Sequence, residues 1–442
     1  MVRIGLMASR IFPIDRRELL AGLGAAALVA GFPRSGSTAG PVPVPLRAKP
    51  GTLPLRPGQA ETPVWSLEGP SRPLRFKPGS SIEMAFQNDL DRPMVVNWHG
   101  MDGIPSAEPL LGQTALTPGA KASFTTPLRH AGTLFGDLRL LADGQGPVSR
   151  ALPLIVDENQ PPTIDRDEVF LIEDFWLRAD GTAIGPASDP RDAASVYTVN
   201  GLISPDIAVH SNQRLRLRLI NGCQRNVLAT KIEGVDVRVM AMDGQPAEPF
   251  LARNGAIVLA PGNRTDVFID VTAQPGTTSA ILLHDGKEAR PIARLVTSSE
   301  PPARPTPLPP APPLPSNGLP ERLELKGAQR VDLVLNGAGW VAPANFSATA
   351  APAFRAKANR VVVLALANRA PTATAFHLHG HHFRLLDRLD DGWKPYWLDT
   401  LAVEPGQTQR IAFLAEYAGR YLLESAATDW AAPKFLRWYS VE

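Results

Sequence analysis

The stretch His377-Leu378-His379-Gly380-His381-His382-Phe383 gathers half of the chain's eight histidines into seven residues. In an extended strand, alternate side chains share a face, so His377 and His379 point the same way and can converge on one centre. A related stretch, Asn97-Trp98-His99-Gly100, stands near the other end of the sequence. His130, His210 and His284 have no such companions and are read as surface or core residues without a function.

Outward from both stretches, apolar and polar residues alternate. Leu74-Arg-Phe-Lys-Pro-Gly79, Ile82-Glu-Met-Ala-Phe86, Leu215-Arg-Leu-Arg-Leu-Ile220 and Val267-Phe-Ile-Asp-Val271 are examples. Period-two patterning broken at short intervals by Gly and Pro predicts β-sandwiches, not a parallel sheet wrapped in helices. Forty-five prolines suit short strands and loops and argue against long helices. The pattern also repeats. A strand after Pro78-Gly79 ends at Asn88, with looser counterparts ending at Asn221 and Asn368, and each unit later carries Pro118-Gly119, Pro261-Gly262 or Pro405-Gly406. The copies lie roughly 120 to 150 residues apart, the size of an ordinary domain. Units are expected over 45–158, 165–300 and 321–442. Residues 301–320, dominated by proline, read as a stiff spacer carrying the chain across a neighbouring unit.

With 442 residues the chain is too long for a single core. Its net charge of +2 gives no reason to expect nucleic acid or an acidic membrane surface. A lone cysteine, Cys223, excludes an internal disulfide framework and reads as a small residue just after a strand of the middle unit. At the N-terminus, Asp15-Arg16-Arg17-Glu18-Leu19-Leu20, an apolar run over Ala21–Phe32 and the small residues Ser37-Thr38-Ala39 read as a twin-arginine-type signal over 1–39. The run is shorter than the ~20 residues of a spanning helix, and no transmembrane segment is expected after Phe32. This predicts export through the twin-arginine translocase to the periplasm.

Through its histidine motifs, together with Leu215-Arg-Leu-Arg-Leu-Ile-Asn221 and Met242-Asp-Gly-Gln245, the chain resembles the multicopper oxidase superfamily over about residues 45–442. The resemblance implies an all-β protein of three consecutive cupredoxin-like Greek-key β-sandwich domains. It also implies a trinuclear copper cluster between the first and third, and a blue copper in the third. Carried over position by position, Asn97 stands where a cluster histidine belongs and His99 keeps one. Asp137 and Arg139 stand where the second His-X-His pair belongs. Thr374 replaces a blue-copper histidine, while His377 and His379 match cluster ligands. Glu424, Ser425, Ala426 and Trp430 take the places of His, Cys, His and His.

Electrons enter such oxidases through a cysteine thiolate, the soft ligand of a blue-copper site. With Ser425 in its place, the resemblance implies no laccase-type reaction. Two readings of the remnant follow. In the first, Asp137 and Glu424 with Arg139 form an ion-paired plug around His99, His377 and His379, and no cofactor is bound. The chain is then similar to the copper-free SufI type of the family, a periplasmic binding or scaffolding protein whose protein partner the sequence does not identify. In the alternative, the three histidines with Asp137 or Glu424 hold a single copper, zinc or iron and serve a metal-dependent oxidoreductase.

Overall fold

Three hydrophobic cores follow one another along the chain, each closed between two sheets. Leu46, Leu67, Met84 and Leu154 lie in the first, Leu217, Val267 and Leu283 in the second, and Phe376, Phe413 and Tyr439 in the third. The structure is a computed structural model that describes residues 42–144, 146–387 and 392–442; the expected signal over 1–39 lies outside them. Helix among the described residues is confined to short 3-10 turns such as Pro105–Ala107 and Arg139–Leu141. None is long and apolar enough to cross a membrane.

The three sandwiches share one topological signature. Val42–Leu53 runs parallel to Ser81–Asn88, Arg166–Leu177 parallel to Arg214–Asn221, and Gln329–Val334 parallel to Val361–Ala367. Most other neighbours are antiparallel, as Greek-key sandwiches require. In the first sandwich the sheet order is Lys121–Pro127, Ser81–Asn88, Val42–Leu53, Thr62–Glu68, Val148–Arg150, faced by Leu74–Phe76, Leu152–Val156, Gly132–Asp137, Asn97–His99. Ser81–Asn88 shows the expected alternation, with Ile82, Met84, Phe86 and Asn88 buried.

The repeated asparagines close each unit in the same way. Asn88 Nδ2 donates to Arg92 O and Leu116 O at 2.9 and 2.7 Å. Asn221 does so to Asn226 O and Leu259 O at 2.9 and 2.8 Å, and Asn368 to Thr372 O and Val403 O at 2.9 and 2.7 Å. The backbone carbonyl of each asparagine accepts from the glycine of the later Pro-Gly turn, Gly119, Gly262 or Gly406. Those glycines have φ of 74°, 98° and 72°, the left-handed region that the third residue of such a turn needs.

Alternation alone misjudges Arg214–Asn221, which is buried on both faces. Its leucines enter the second core; Arg216 and Arg218 are covered where the first sandwich meets it and Arg214 by the Pro-rich segment, and all three are neutralised. Arg216 bridges Glu158 and Asp266 at 2.7 and 2.6 Å. Arg218 reaches Asp167 at 2.7 Å and Thr133 Oγ1 at 2.9 Å. The Pro-rich segment over 301–320 has no regular structure and runs against the second sandwich, where Arg214 donates to Leu308 O and Pro309 O. Its end reaches the first, where Asn317 binds the backbone of Ala131.

Candidate functional site

The two histidine strands meet between the first and third cores. Asn97–His99 pairs antiparallel with Gly132–Asp137, which sets Asn97 opposite Asp137 and His99 opposite Phe135. Thr374–Leu378 pairs with Gly419–Ala427, which sets His377 opposite Glu424 and Phe376 opposite Ser425. The rings of His99 and His377 lie 4.5 Å apart between centroids, and those of His377 and His379 also 4.5 Å. All three are buried.

Around His379 the pocket is saturated with charge. Its Nε2 lies 2.7 Å from Glu424 Oε1 and its Nδ1 2.8 Å from Glu108 Oε1. Burial opposes a charge there, but the Glu108 and Glu424 carboxylates outweigh it and raise the imidazole to about 10. His379 is therefore an imidazolium at neutral pH. Glu424 also accepts from Asn97 Nδ2 at 2.6 Å and pairs with Lys434 at 2.8 Å. Despite burial, Lys434 and then His379 hold its carboxyl well below the usual range. Glu108 is fixed by the backbone N–H of Leu422 at 2.8 Å.

The other half of the pocket is looser. His99 stacks on Phe135 with centroids 4.2 Å apart, and its Nε2 is 3.6 Å from Asp137. Burial, then the neighbouring His377, lower it to about 4, so it is neutral. Arg139 is thus the cation facing Asp137, its backbone N–H donating to the carboxylate at 2.9 Å and its Nε lying 3.8 Å away. Thr400 Oγ1 donates to Asp399 at 2.8 Å, so it accepts from His377 Nδ1–H, also at 2.8 Å. That leaves His377 Nε2 and His99 Nδ1 buried without a partner. The space beside them is about 40 Å³, bounded by Arg139, Cys223, Gly262, Thr400 and Lys434 among others.

At the expected blue-copper positions, Thr374 Oγ1 donates to Asn368 at 3.2 Å and Ser425 Oγ is buried without a partner. Trp430 turns to the second sandwich, donating to Gly185 O at 3.1 Å and packing on Trp176. Cys223 is buried in the second core, and burial pushes its thiol well above the ordinary value. Sequence reasoning misses Glu108 and Lys434, which no motif marks. It also gives His130 no role, whereas the structure sets it beside Asp102 and His382. His381 packs among Phe413, Tyr417, Tyr421 and Tyr439, with Nδ1 2.7 Å from Tyr439 Oη.

Three Greek-key sandwiches, with the histidine strands of the first and third brought together through the His99 and His377 rings, define a protein of cupredoxin-type domains. Family models described as multicopper oxidase match residues 166–290 and 318–442. The chain belongs to the multicopper oxidase family. It is 24% identical to the multicopper oxidase MmcO of Mycobacterium tuberculosis over 88% of this chain and 84% of that one. It is 22% identical to the multicopper oxidase mco of Staphylococcus haemolyticus, over 81% and 78%. Among solved structures, the multi-copper oxidase of Pseudomonas thermotolerans aligns with a TM-score of 0.76 at 25% identity, covering 90% of this chain and 99% of that one. Lac15 from a marine microbial metagenome aligns with a TM-score of 0.72 at 24% identity, over 91% and 100%.

Proposed function

We propose that this family member is an exported binding or scaffolding protein in which an ion-paired plug stands where copper would be held, and that it carries out no laccase-type oxidation. The observation that carries this reading is His379. With a carboxylate on each ring nitrogen it has no lone pair to offer, and a metal ligand needs one unprotonated nitrogen. Charge in the pocket is already balanced, because Glu108, Glu424 and Asp137 face His379, Lys434 and Arg139. Added copper ions would be uncompensated and would meet three cations already in place. Thr374, Ser425 and Trp430 supply neither thiolate nor imidazole. The residues present therefore do not fit the family's copper centres. A space of about 40 Å³ is also far below the ~300 Å³ of the smallest ordinary ligand pockets. Among the described residues, the large apolar side chains that are exposed, Leu202, Ile203, Phe250, Leu251 and Val258, lie on the second sandwich. The expected signal over 1–39 supports a periplasmic location for the binding role.

A second reading is favoured by one observation. His99 Nδ1 and His377 Nε2 are unpartnered, and two imidazole nitrogens can hold a single copper for a metal-dependent oxidoreductase. Copper loading of the purified protein, followed by absorption spectra and oxygen uptake with a phenol, separates the two. The first reading expects no blue colour and no phenol-dependent oxygen consumption. Blue colour that bleaches with phenol and returns in air would refute it. One copper per chain that disappears in His377→Ala would select the second reading.

A further inference from the structure

A cleft of about 630 Å³ opens on the second sandwich, between the outer face of one sheet and the Pro-rich segment. That volume falls within the ~300–1,000 Å³ of ordinary small-molecule sites. Strand pairing lays out its floor, because residues directly opposite across a ladder share a face. Phe268 stands opposite Arg238 on one neighbouring strand, and Asp270 opposite Arg214 on the other. Arg238 in turn stands opposite Leu251. The alternate residues Val267 and Ile269 enter the second core, so Phe268, Asp270 and their partners occupy the outer face.

Both walls are built before anything binds. On one side Arg214 Nη2 donates to Leu308 O and Pro309 O at 3.2 and 2.8 Å, and Ala311 and Leu314 pack in one cluster with Phe268. On the other, Ala252 N donates to Val237 O at 2.8 Å and Gly255 N to Ala252 O at 3.0 Å, which fixes the turn beyond Leu251. A preformed cleft spares a ligand the cost of ordering it.

Cations in the cleft outnumber their partners. The Arg214 side chain is 3% exposed, and Asp270 and the two carbonyls engage only its Nε and Nη2. Among the described residues nothing accepts from its Nη1, which is not sealed off from solvent and so opens onto the cleft that Arg214 lines. Buried donors are normally paired, so two free N–H groups on a guanidinium mark a place for an acceptor. Arg238, half-buried, and Lys231, exposed, also line the cleft, and among the described residues neither side chain has an ion pair or hydrogen bond. Asp270 is spent on Arg214, which leaves Asp236 as the one lining carboxylate against Arg238 and Lys231.

We propose that this cleft binds a small organic monocarboxylate with an apolar body. Arg238 and Arg214 Nη1 take the carboxylate, whose planar pair of oxygens matches a guanidinium edge, and Lys231 adds charge. Three cations against two acids leave a single positive charge to neutralise, which suits one carboxylate and not a polyanion. Phe268 and Leu308 form the apolar floor, and Leu251, 51% exposed in the free protein, gains cover when the body lies against it. None of these residues belongs to the His99, His377, His379 pocket, so the inference stands whether or not that pocket is a plug.

The test is calorimetric titration of the full chain, at low salt, with 2-naphthoate, its neutral counterpart 2-naphthamide, and acetate, which has the charge without the body. The expected result is one naphthoate per chain, bound at least roughly tenfold more tightly than the amide or acetate, since a charge-assisted hydrogen bond is worth about that factor or more. Arg238→Gln should weaken naphthoate by roughly tenfold, and Arg238→Gln combined with Lys231→Gln further, with the thermal midpoint unchanged. Arg355→Gln, on the third sandwich and outside the cleft, should leave the affinity as it is. Absence of naphthoate binding in the wild type, equal affinity for the amide or for acetate, unaltered affinity in the double variant, or loss of binding in Arg355→Gln would each overturn the proposal.

Discussion

A carboxylate on each ring nitrogen makes His379 the residue on which the first–third junction turns. Removing that buried charge leaves the Glu108 carboxylate without its cation, which costs about 3–5 kcal/mol. His379→Ala should therefore lower the free energy of chemical unfolding by that amount. Adding Glu108→Gln should recover part of it, since the amide oxygen can still accept from Leu422 N without a charge to balance. The effect is pH-dependent with a definite sign. The folded imidazole titrates at about 10 against an ordinary 6.5, so the folded state holds the proton more tightly. That stabilisation is complete below about 6.5 and is lost as the pH rises through about 10. Raising the pH from neutrality to that value should destabilise the wild type more than His379→Gln. Equal losses would show that His379 is not the charged centre of the plug. The groups facing it are Glu108, Glu424 and, through Glu424, Lys434, with the His377 ring alongside.

At the scale of the strand and turn, the repeated asparagine is a clasp. Each side chain satisfies two backbone carbonyls that the bend at the strand end leaves free, and its oxygen accepts from the residue two positions on: Leu90, Cys223 or Ala370. Every buried polar group left unpaired costs about 1–3 kcal/mol. Asn88→Ala, Asn221→Ala and Asn368→Ala should each lower stability by at least ~2 kcal/mol in denaturant titrations. Losses under ~1 kcal/mol at all three positions would show that the pattern is decorative. This clasp explains why so much of the fold could be read in advance. Strand alternation, the Pro-Gly turns and the terminal asparagines are local devices, decided within a few residues and repeated three times. The two histidine strands were legible for the same reason. What surrounds them was not: Glu108 meets His379 and Asn97 meets Glu424 only after three sandwiches have folded, and such contacts leave no mark on spacing. The arginines of Arg214–Asn221 show the limit from the other side, because alternation predicts one wet face where a neighbouring sandwich makes it dry.

Across the whole molecule, one guanidinium joins all three cores. Arg264 is fully buried, and each of its five N–H groups finds an acceptor. Nε donates to Thr133 O at 3.1 Å in the first sandwich, and Nη1 and Nη2 donate to Gly262 O and Asp243 O at 3.0 and 2.9 Å in the second. The remaining two bind the Asp399 carboxylate of the third at 2.8 and 2.7 Å. Asp243 in turn accepts from the backbone of Asp399 and Thr400 at 3.0 and 3.2 Å. Burial raises Asp243 to about 6, with Asp399 adding to the shift, so this junction tolerates its two acids only while Arg264 stands between them. Three sandwiches with separate cores could each melt alone; a buried charge shared by all of them couples their unfolding. Arg264→Met keeps most of the volume but strands Asp399, and should cost about 3–5 kcal/mol. Because that cost falls on the junction and not on any one core, scanning calorimetry should show one transition for the wild type and two for the variant. A variant that still unfolds in one transition at the wild-type midpoint would mean that the sandwiches are coupled elsewhere and that Arg264 only fills space.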